Sequence, residues 1–164
     1  MKYSVDVVLP VFNGEKTIQR AINSILGQSK VIIHKIIVID DGSTDQTYLI
    51  VKSMNLSNIH LVKTINKGVS SARNYGLTFV SSEWVAFLDC DDIWHPQKIF
   101  KQISLGVEKN LDFICCANNT LNKFDSKKIT IYSLVYGNFI STSSVILRVN
   151  CCLLYTSPSP RDFE

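Results

Sequence analysis

Short apolar runs alternate along the first hundred residues with stretches whose apolar positions return every three or four residues. Val5–Leu9 (VDVVL) is a β-branched run closed by Pro10 and predicts a first strand. Over Glu15–Gln28, residues Ile18, Ala21, Ile22, Ile25 and Leu26 fall at i, i+3, i+4, i+7 and i+8, one apolar stripe of a helix. Asn13 is its N-cap candidate and Gly27 its terminator. Lys35–Ile39 (KIIVI) predicts a second strand, apolar enough for burial on both faces. A helix near Asp45–Met54, a strand at Ile59–Thr64 and a helix marked by Val69, Ala72, Gly76 and Val80 follow. Trp84–Leu88 predicts strand four. Pro96 suits the first position of a helix with a stripe of Ile99, Ile103 and Val107. Asp112–Ala117 predicts strand five, and Lys128–Tyr132 and Ser143–Val149 later strands.

Strands alternating with helices predict an α/β fold with a mostly parallel sheet flanked by helices. Ligands of such sheets bind outside the carboxyl ends of the strands. Pro10–Asn13, Asp40–Asp45, Asn66–Gly68 and Asp89–Asp92 each follow a predicted strand. All four polar clusters are therefore expected on one edge of the sheet.

Composition narrows the function classes. With 164 residues, 46% hydrophobic and 19% charged, the chain has the balance of one globular domain, not of a disordered segment. A net charge of +3 from 17 basic and 14 acidic residues is too weak and scattered to indicate nucleic acid. No transmembrane segment is predicted: the run Val31–Ile39 contains His34 and Lys35 and is far below the ~18 apolar residues a membrane helix needs. Cys90, Cys115, Cys116, Cys151 and Cys152 form no C-x-x-C, which argues for reduced cysteines in a cytosolic protein over zinc or redox chemistry.

Asp89, Asp91 and Asp92 place three carboxylates within four residues, and their mutual repulsion calls for a counter-charge. A hard divalent cation, Mn²⁺ or Mg²⁺, supplies one, completing its shell from phosphates and water. The plainer reading is an acidic loop that caps the helix after Pro96. Asp40 and Asp41 can accept from a nucleotide's imino or hydroxyl groups, or make a turn. Lys67 and Arg73 flank Gly68 near a helix start, where cations and free amides suit phosphate, unless they are only surface charge. Gly68 allows close backbone approach or simply makes the turn. Phe12 can stack on a base or belong to the core, and Trp84 and Trp94 read as packing.

Four blocks, VVLPVFNGEKTIQRAINSILGQS, IIVIDDGSTDQT, NKGVSSARNYGL and WVAFLDCDDIWHPQKI, resemble the family-2 glycosyltransferases with the GT-A fold, in order and near the usual spacings over residues 4 to about 100. The resemblance implies a Rossmann-like GT-A sheet, a nucleotide-sugar donor (commonly a UDP-sugar), a divalent metal and inverting transfer to a hydroxyl acceptor. It implies that Pro10, Val11, Phe12 and Glu15 frame the donor nucleoside and that Asp41, with Asp40 beside it, contacts the base. Lys67, Gly68 and Arg73 would lie near the base or pyrophosphate. Asp89-x-Asp91 would be the DxD motif, with Asp91 the metal ligand and Asp89 on the donor ribose or the metal. A glycan or lipid-linked acceptor and a role in bacterial cell-surface polysaccharide synthesis follow by analogy. So does a cytoplasmic location, peripheral at the inner membrane face in the full-length parent.

The general base expected for the acceptor hydroxyl is not found: after Asp125 the only acids are Asp162 and Glu164. Cys152–Asp162 (CLLYTSPSPRD) matches the translation of a transposase-type sequencing adapter. The expectation is a nucleotide-sugar-binding portion over residues 1–150, truncated at its C-terminus and inactive in transfer, with residues 151–164 a non-native or disordered tail. The alternative is a non-catalytic nucleotide- or phosphate-binding α/β module. A phosphate-accepting receiver would need its acidic pair where Val11 and Phe12 stand, and a dinucleotide enzyme would need G-x-G-x-x-G after the first strand.

Overall fold

The computed structural model describes residues 3–116 and 140–152. Strands β1 (Tyr3–Val11), β2 (Val31–Asp40), β3 (Ile59–Lys63), β4 (Trp84–Phe87), β5 (Phe113–Cys115) and β6 (Val145–Arg148) form one six-stranded sheet in the order β3-β2-β1-β4-β6-β5. Helices α1 (Ile18–Leu26), α2 (Thr47–Ser53), α3 (Val69–Leu77), α4 (Lys98–Lys109) and the short α5 (Val149–Cys152) accompany it. β3, β2, β1 and β4 run parallel, and β6 is antiparallel to both β4 and β5. The expected mostly parallel α/β sheet is present. The expected strand at Lys128–Tyr132 and residues 153–164 of the expected 151–164 tail lie outside the described residues, while Cys151 and Cys152 fall in α5.

Alternate residues of the central strands feed two cores. Val5, Val7 and Leu9 join Ile18, Ile22 and Ile25 of α1 and Ile99 and Ile103 of α4 on one face. Val8, Ile37, Ile39, Val85 and Phe87 pack with Ala72 of α3 on the other. Burial on both faces explains why these strands read as unbroken apolar runs.

Several boundaries move for identifiable reasons. β1 continues through Pro10, which the sequence places at its end. Pro10 shares the parity of Val8, whose carbonyl accepts from Leu88 N–H on the β4 side. The β1–β4 ladder stops at the Val8–Phe87 pair, so the missing proline N–H costs no bond. α1 starts at Ile18 instead of Glu15, and Asn13, the expected N-cap, adopts φ +52° in the preceding turn. Gly27 caps its C-terminus as expected, donating to Asn23. Pro96 precedes the N-cap Gln97 and is not the first helical residue of α4. Leu26 and Val107, both assigned inward positions, are 39% and 45% exposed. Each is an i+8 position, about 80° around the helix from its first stripe residue, which puts it at the stripe's edge. Gln102 and Gly106 complete the buried face of α4 instead.

Candidate functional site

The carboxyl ends of β1, β2, β3 and β4 open on one edge, and the four polar loops meet there. Backbone bonds from Asp41 N–H to Val11 and from Thr64 N–H to Asp40 (both 2.8 Å) tie the strand ends together. The loop after β1 is then stitched to the loop after β2. Asn13 N–H donates to Ser43 Oγ (2.9 Å) and Thr44 N–H returns to Asn13 Oδ1 (2.9 Å). Gly14 N–H donates to Thr47 Oγ1 (2.8 Å), and Glu15 N–H to Asp45 Oδ2 (3.1 Å). The Glu15 carboxylate accepts from Gln46 N–H (3.1 Å) at the start of α2.

A cleft of about 690 Å³ opens over this seam, lined by Phe12, Asn13, Gly14, Glu15, Lys16, Thr17, Thr44, Asp45, Cys90 and Asp91. Phe12 is 48% exposed here, which removes it from the core and leaves its ring face available. Pro10 and Val11 are buried in the strand behind it. A second hollow of about 510 Å³ lies between Val80–Glu83 and Arg148–Asn150. It sits at the opposite edge, away from the carboxylate loops, and its charged feature is a surface pair, Arg148 with Glu83 at 3.3 Å.

Asp40 and Asp41 have separate jobs. Asp40 is fully buried. Its Oδ1 accepts from Ser43 N–H (2.8 Å), while its Oδ2 has no partner within the described residues. Asp41, 4% exposed, accepts from Thr64 Oγ1 (3.1 Å), Lys67 N–H (3.1 Å) and Gly68 N–H (2.8 Å). Its carboxylate therefore holds the loop that leads into α3. Gly68 there has φ +89° with open space where a Cβ would stand, so backbone conformation, not crowding, favours glycine. The Lys67 side chain is exposed.

One turn into α3, Arg73 reaches across to the loop after β4 and meets Asp89 Oδ1 at 2.6 Å. The pair is partly exposed, and Arg73 Nε has no partner within the described residues. Asp89 is thus neutralised by the chain itself. Asp91 and Asp92 are exposed. The backbone carbonyl of Asp91 accepts from Arg20 (3.5 Å), while its carboxylate is uncommitted among the described residues at the cleft wall. Cys90, between the two acids, turns inward, and burial followed by the charge of Asp91 pushes its thiol pKa up. Among the described residues Cys90, Cys115 and Cys116 are free thiols.

A divalent cation would find hard oxygen donors in Asp91 and its neighbours. Among the described residues no three His, Cys, Asp or Glu groups surround one point. A cation of the kind that takes one or two carboxylates completes its shell from phosphate oxygens and water, and Asp91 offers a single uncommitted carboxylate at the cleft wall.

The structure thus gathers Phe12, Glu15 and Asp91 at the cleft and Asp41, Gly68, Arg73 and Asp89 beside it, with Pro10, Val11 and Asp40 as buried support. Sequence reasoning placed Ser43 and Asp45 in the polar cluster after the second strand but missed Thr47 and the bonds by which all three stitch the loops together. Their signal was present in D-G-S-T-D-x-T, a run of turn- and cap-forming side chains. Asp45 precedes the N-cap Gln46, and its carboxylate accepts from Thr47 N–H (2.9 Å) at the start of α2. Burial acts against ionisation of Asp45, but bonds from Thr47 and Glu15 outweigh it and lower its pKa.

Among the described residues no helix is long and apolar enough to cross a membrane. The family model described as glycosyl transferase family 2 matches residues 6–138. A curated relative from Escherichia coli, UDP-Glc:alpha-D-GlcNAc-diphosphoundecaprenol beta-1,3-glucosyltransferase WfgD, is 35% identical over 153 residues, covering 88% of this chain and 60% of its own length. S. aureus TarS 1-349 in complex with UDP-GlcNAc matches with a TM-score of 0.69 at 26% identity, over 91% of this chain and 46% of that one. Mannosyltransferase PcManGT from Pyrobaculum calidifontis, in complex with GDP-Man and Mn²⁺, matches with a TM-score of 0.64 at 22% identity, over 73% and 36%. The chain spans 60% or less of the length of these relatives. The expected Rossmann-like GT-A fold is borne out by the sheet and these neighbours.

Proposed function

The chain belongs to glycosyl transferase family 2, and on that premise we propose that it is the donor-binding portion of an inverting glycosyltransferase. The donor is a nucleotide-sugar, in our reading a UDP-sugar, and the acceptor a hydroxyl of a glycan or lipid-linked sugar used in cell-surface polysaccharide synthesis. The names of two relatives support this: one is a UDP-glucose-dependent enzyme acting on a diphosphoundecaprenol-linked sugar, and another is solved with UDP-GlcNAc. A lipid-linked acceptor would put the work at the inner surface of a membrane.

The observation that carries the reading is the convergence of Phe12, the Asp41-held loop, Arg73, Asp89 and Asp91 on one edge of the parallel sheet. Phe12 offers an exposed ring for the base. Lys67 and Arg73 face the pyrophosphate with charge, and Gly68 lets the chain approach it closely. Asp91 is the proposed ligand of a divalent cation, Mn²⁺ or Mg²⁺, with Asp89 either joining it or accepting from the donor ribose. The neighbour solved with GDP-Man and Mn²⁺ supports a metal. A bound cation would stabilise negative charge on the leaving diphosphate as a Lewis acid. Arg73 adds fixed positive charge beside the same group. Asp89 is already held in place by Arg73 at 2.6 Å.

The acceptor hydroxyl needs a general base, and we assign none in this chain. It is proposed to bind donor without transferring sugar efficiently. Calorimetric titration with UDP in the presence of Mn²⁺ tests the reading. Binding should depend on Mn²⁺ and weaken about tenfold or more in Asp91→Ala, the loss of one charge-assisted ligand. No heat from the unsubstituted chain, or an unchanged affinity in the variant, overturns it.

A further inference from the structure

The acidic loop after β4 is fixed from a part of the chain more than fifty residues away. Asp89 N–H donates to Ser143 Oγ (2.9 Å). The reason is local: the β4–β6 ladder ends at the Ala86–Ile146 pair, so no strand carbonyl stands opposite Asp89. A side-chain hydroxyl takes the place of the missing ladder acceptor. Ser143 lies in the 3₁₀ turn Thr142–Ser144 that leads into β6, and it is only 7% exposed.

That turn is itself held rigidly. Ser143 carbonyl accepts from Trp94 Nε1–H (2.8 Å), and Ser144 carbonyl from Gln102 Nε2–H (2.8 Å). Trp94 and Gln102 are both buried. The Gln102 amide is oriented in turn by Lys98, whose Nζ donates to Gln102 Oε1 (2.8 Å) while lying 4.4 Å from the centre of the Trp94 ring. Inside the turn, Ser144 Oγ donates to Ser141 carbonyl (2.6 Å) and touches neither acid. On the far side, the Asp89 carboxylate is gripped by Arg73. Asp89 is therefore clamped at two points, its carboxylate by α3 and its backbone by the turn before β6.

We propose that Ser143 is a positioning residue for the donor site, setting Asp89, and through the same loop Asp91, at the place where donor and cation bind. This rests on the donor reading given above. An alanine at this position leaves a backbone donor without its acceptor and frees the loop to shift, whereas threonine keeps an acceptor oxygen.

The experiment is UDP titration with Mn²⁺ on the 164-residue chain, comparing Ser143→Ala, Ser143→Cys, Ser143→Thr and Ser144→Ala, with thermal melting of each. Ser143→Ala should weaken UDP binding about five- to tenfold, the loss of one hydrogen bond. Ser143→Cys, close in size but a poor acceptor, should behave alike if alanine disturbs folding. Ser143→Thr should bind within about twofold of the unsubstituted chain, and so should Ser144→Ala, even where its melting temperature falls as far as that of Ser143→Ala. Equal binding by Ser143→Ala, Ser143→Cys and the unsubstituted chain overturns the inference and leaves the donor reading standing. So does a loss of binding in Ser144→Ala equal to that in Ser143→Ala, which would make the effect one of stability alone. Absence of UDP binding by the unsubstituted chain overturns the donor reading and this inference with it.

Discussion

Replacing Gly76 by alanine sets helix propensity against close packing. Gly76 is buried on α3 where the helix lies on the sheet. An added Cβ would sit 2.5 Å from Val8 Cγ1, 3.5 Å from Val8 Cγ2 and 3.3 Å from Ile39 Cγ1. Val8 and Ile39 are fully buried. Val8 is fully buried and its β-branched side chain is restricted at χ1, so turning the methyl away drives it into another packed position. Relief requires the helix to lift by about 1 Å to regain normal carbon–carbon contact. Overpacking of this kind costs about 1–3 kcal/mol. The glycine-to-alanine gain in a helix is about 1 kcal/mol. The net is about 1 kcal/mol of destabilisation, or about 3 °C in melting temperature for a chain of this size. The lift also acts at a distance. Arg73 is one turn away on the same helix, and its 2.6 Å contact with Asp89 does not survive a shift of that size. Melting followed by circular dichroism, with UDP titration in Mn²⁺, reads both effects. Asn74→Ala, at an exposed position of α3, reports the propensity gain alone and should melt slightly higher. If Gly76→Ala melts as high as Asn74→Ala and binds UDP normally, the close-packing account of α3 is wrong.

Two further substitutions probe the charges. Asp6 is fully buried, and burial acts to raise its pKa. Bonds from Ser81 and Ser82 N–H (2.7 and 2.9 Å), from His34 Nδ1 and from Ser82 Oγ outweigh it and hold the carboxyl below its ordinary 3.8. A lowered acid stabilises the fold above its unfolded pKa, and that stability disappears as pH falls through the folded value. Asp6→Asn should cost about 2–4 kcal/mol at neutral pH, and its stability should fall less steeply than that of the parent between about pH 5 and pH 3, as urea denaturation at each pH will read. Asp41→Ala leaves Lys67 and Gly68 N–H without their acceptor. It should raise tryptic cleavage after Lys67 several-fold and weaken UDP binding, and a cleavage rate equal to the parent's would deny Asp41 its role in holding the loop.

What the sequence made legible follows from what it can encode locally. β1, β2 and β4 were readable because they are buried on both faces, and α1 because its stripe is long. The arrival of all the polar loops on one edge followed from parallel order alone. The antiparallel course of β6 was not readable, because the strand is short and its neighbours are distant in sequence. Nor was the burial of Gln102, an amide that fits inside only because the Ile114 and Ser144 carbonyls are there to receive it. The carboxylates show the same limit more sharply. Asp41 and Glu15 stand among polar residues after strands, as ligand-facing acids do, yet in this structure they accept from backbone N–H groups of neighbouring loops. Composition and spacing cannot distinguish an acid that faces a ligand from one that shapes the loop around it.

The placement of β6 between β4 and β5 has a consequence for how the chain is made. Strands β1 to β4 are complete once residue 87 has left the ribosome, and they can pair in parallel as they emerge. β5 emerges next but has no place beside β4, because its partner in the sheet among the described residues is β6. Until residues 145–148 arrive, β4 presents a row of unpaired backbone groups along an apolar edge whose residues are all destined for burial. At ~5–20 residues per second that edge stays open for several seconds of synthesis. This is the interval in which a nascent chain is most open to adding a foreign strand. Among the described strands, β6 both covers the β4 edge and delivers Ser143 to Asp89, so the acidic loop acquires its backbone clamp only when the vulnerable edge closes.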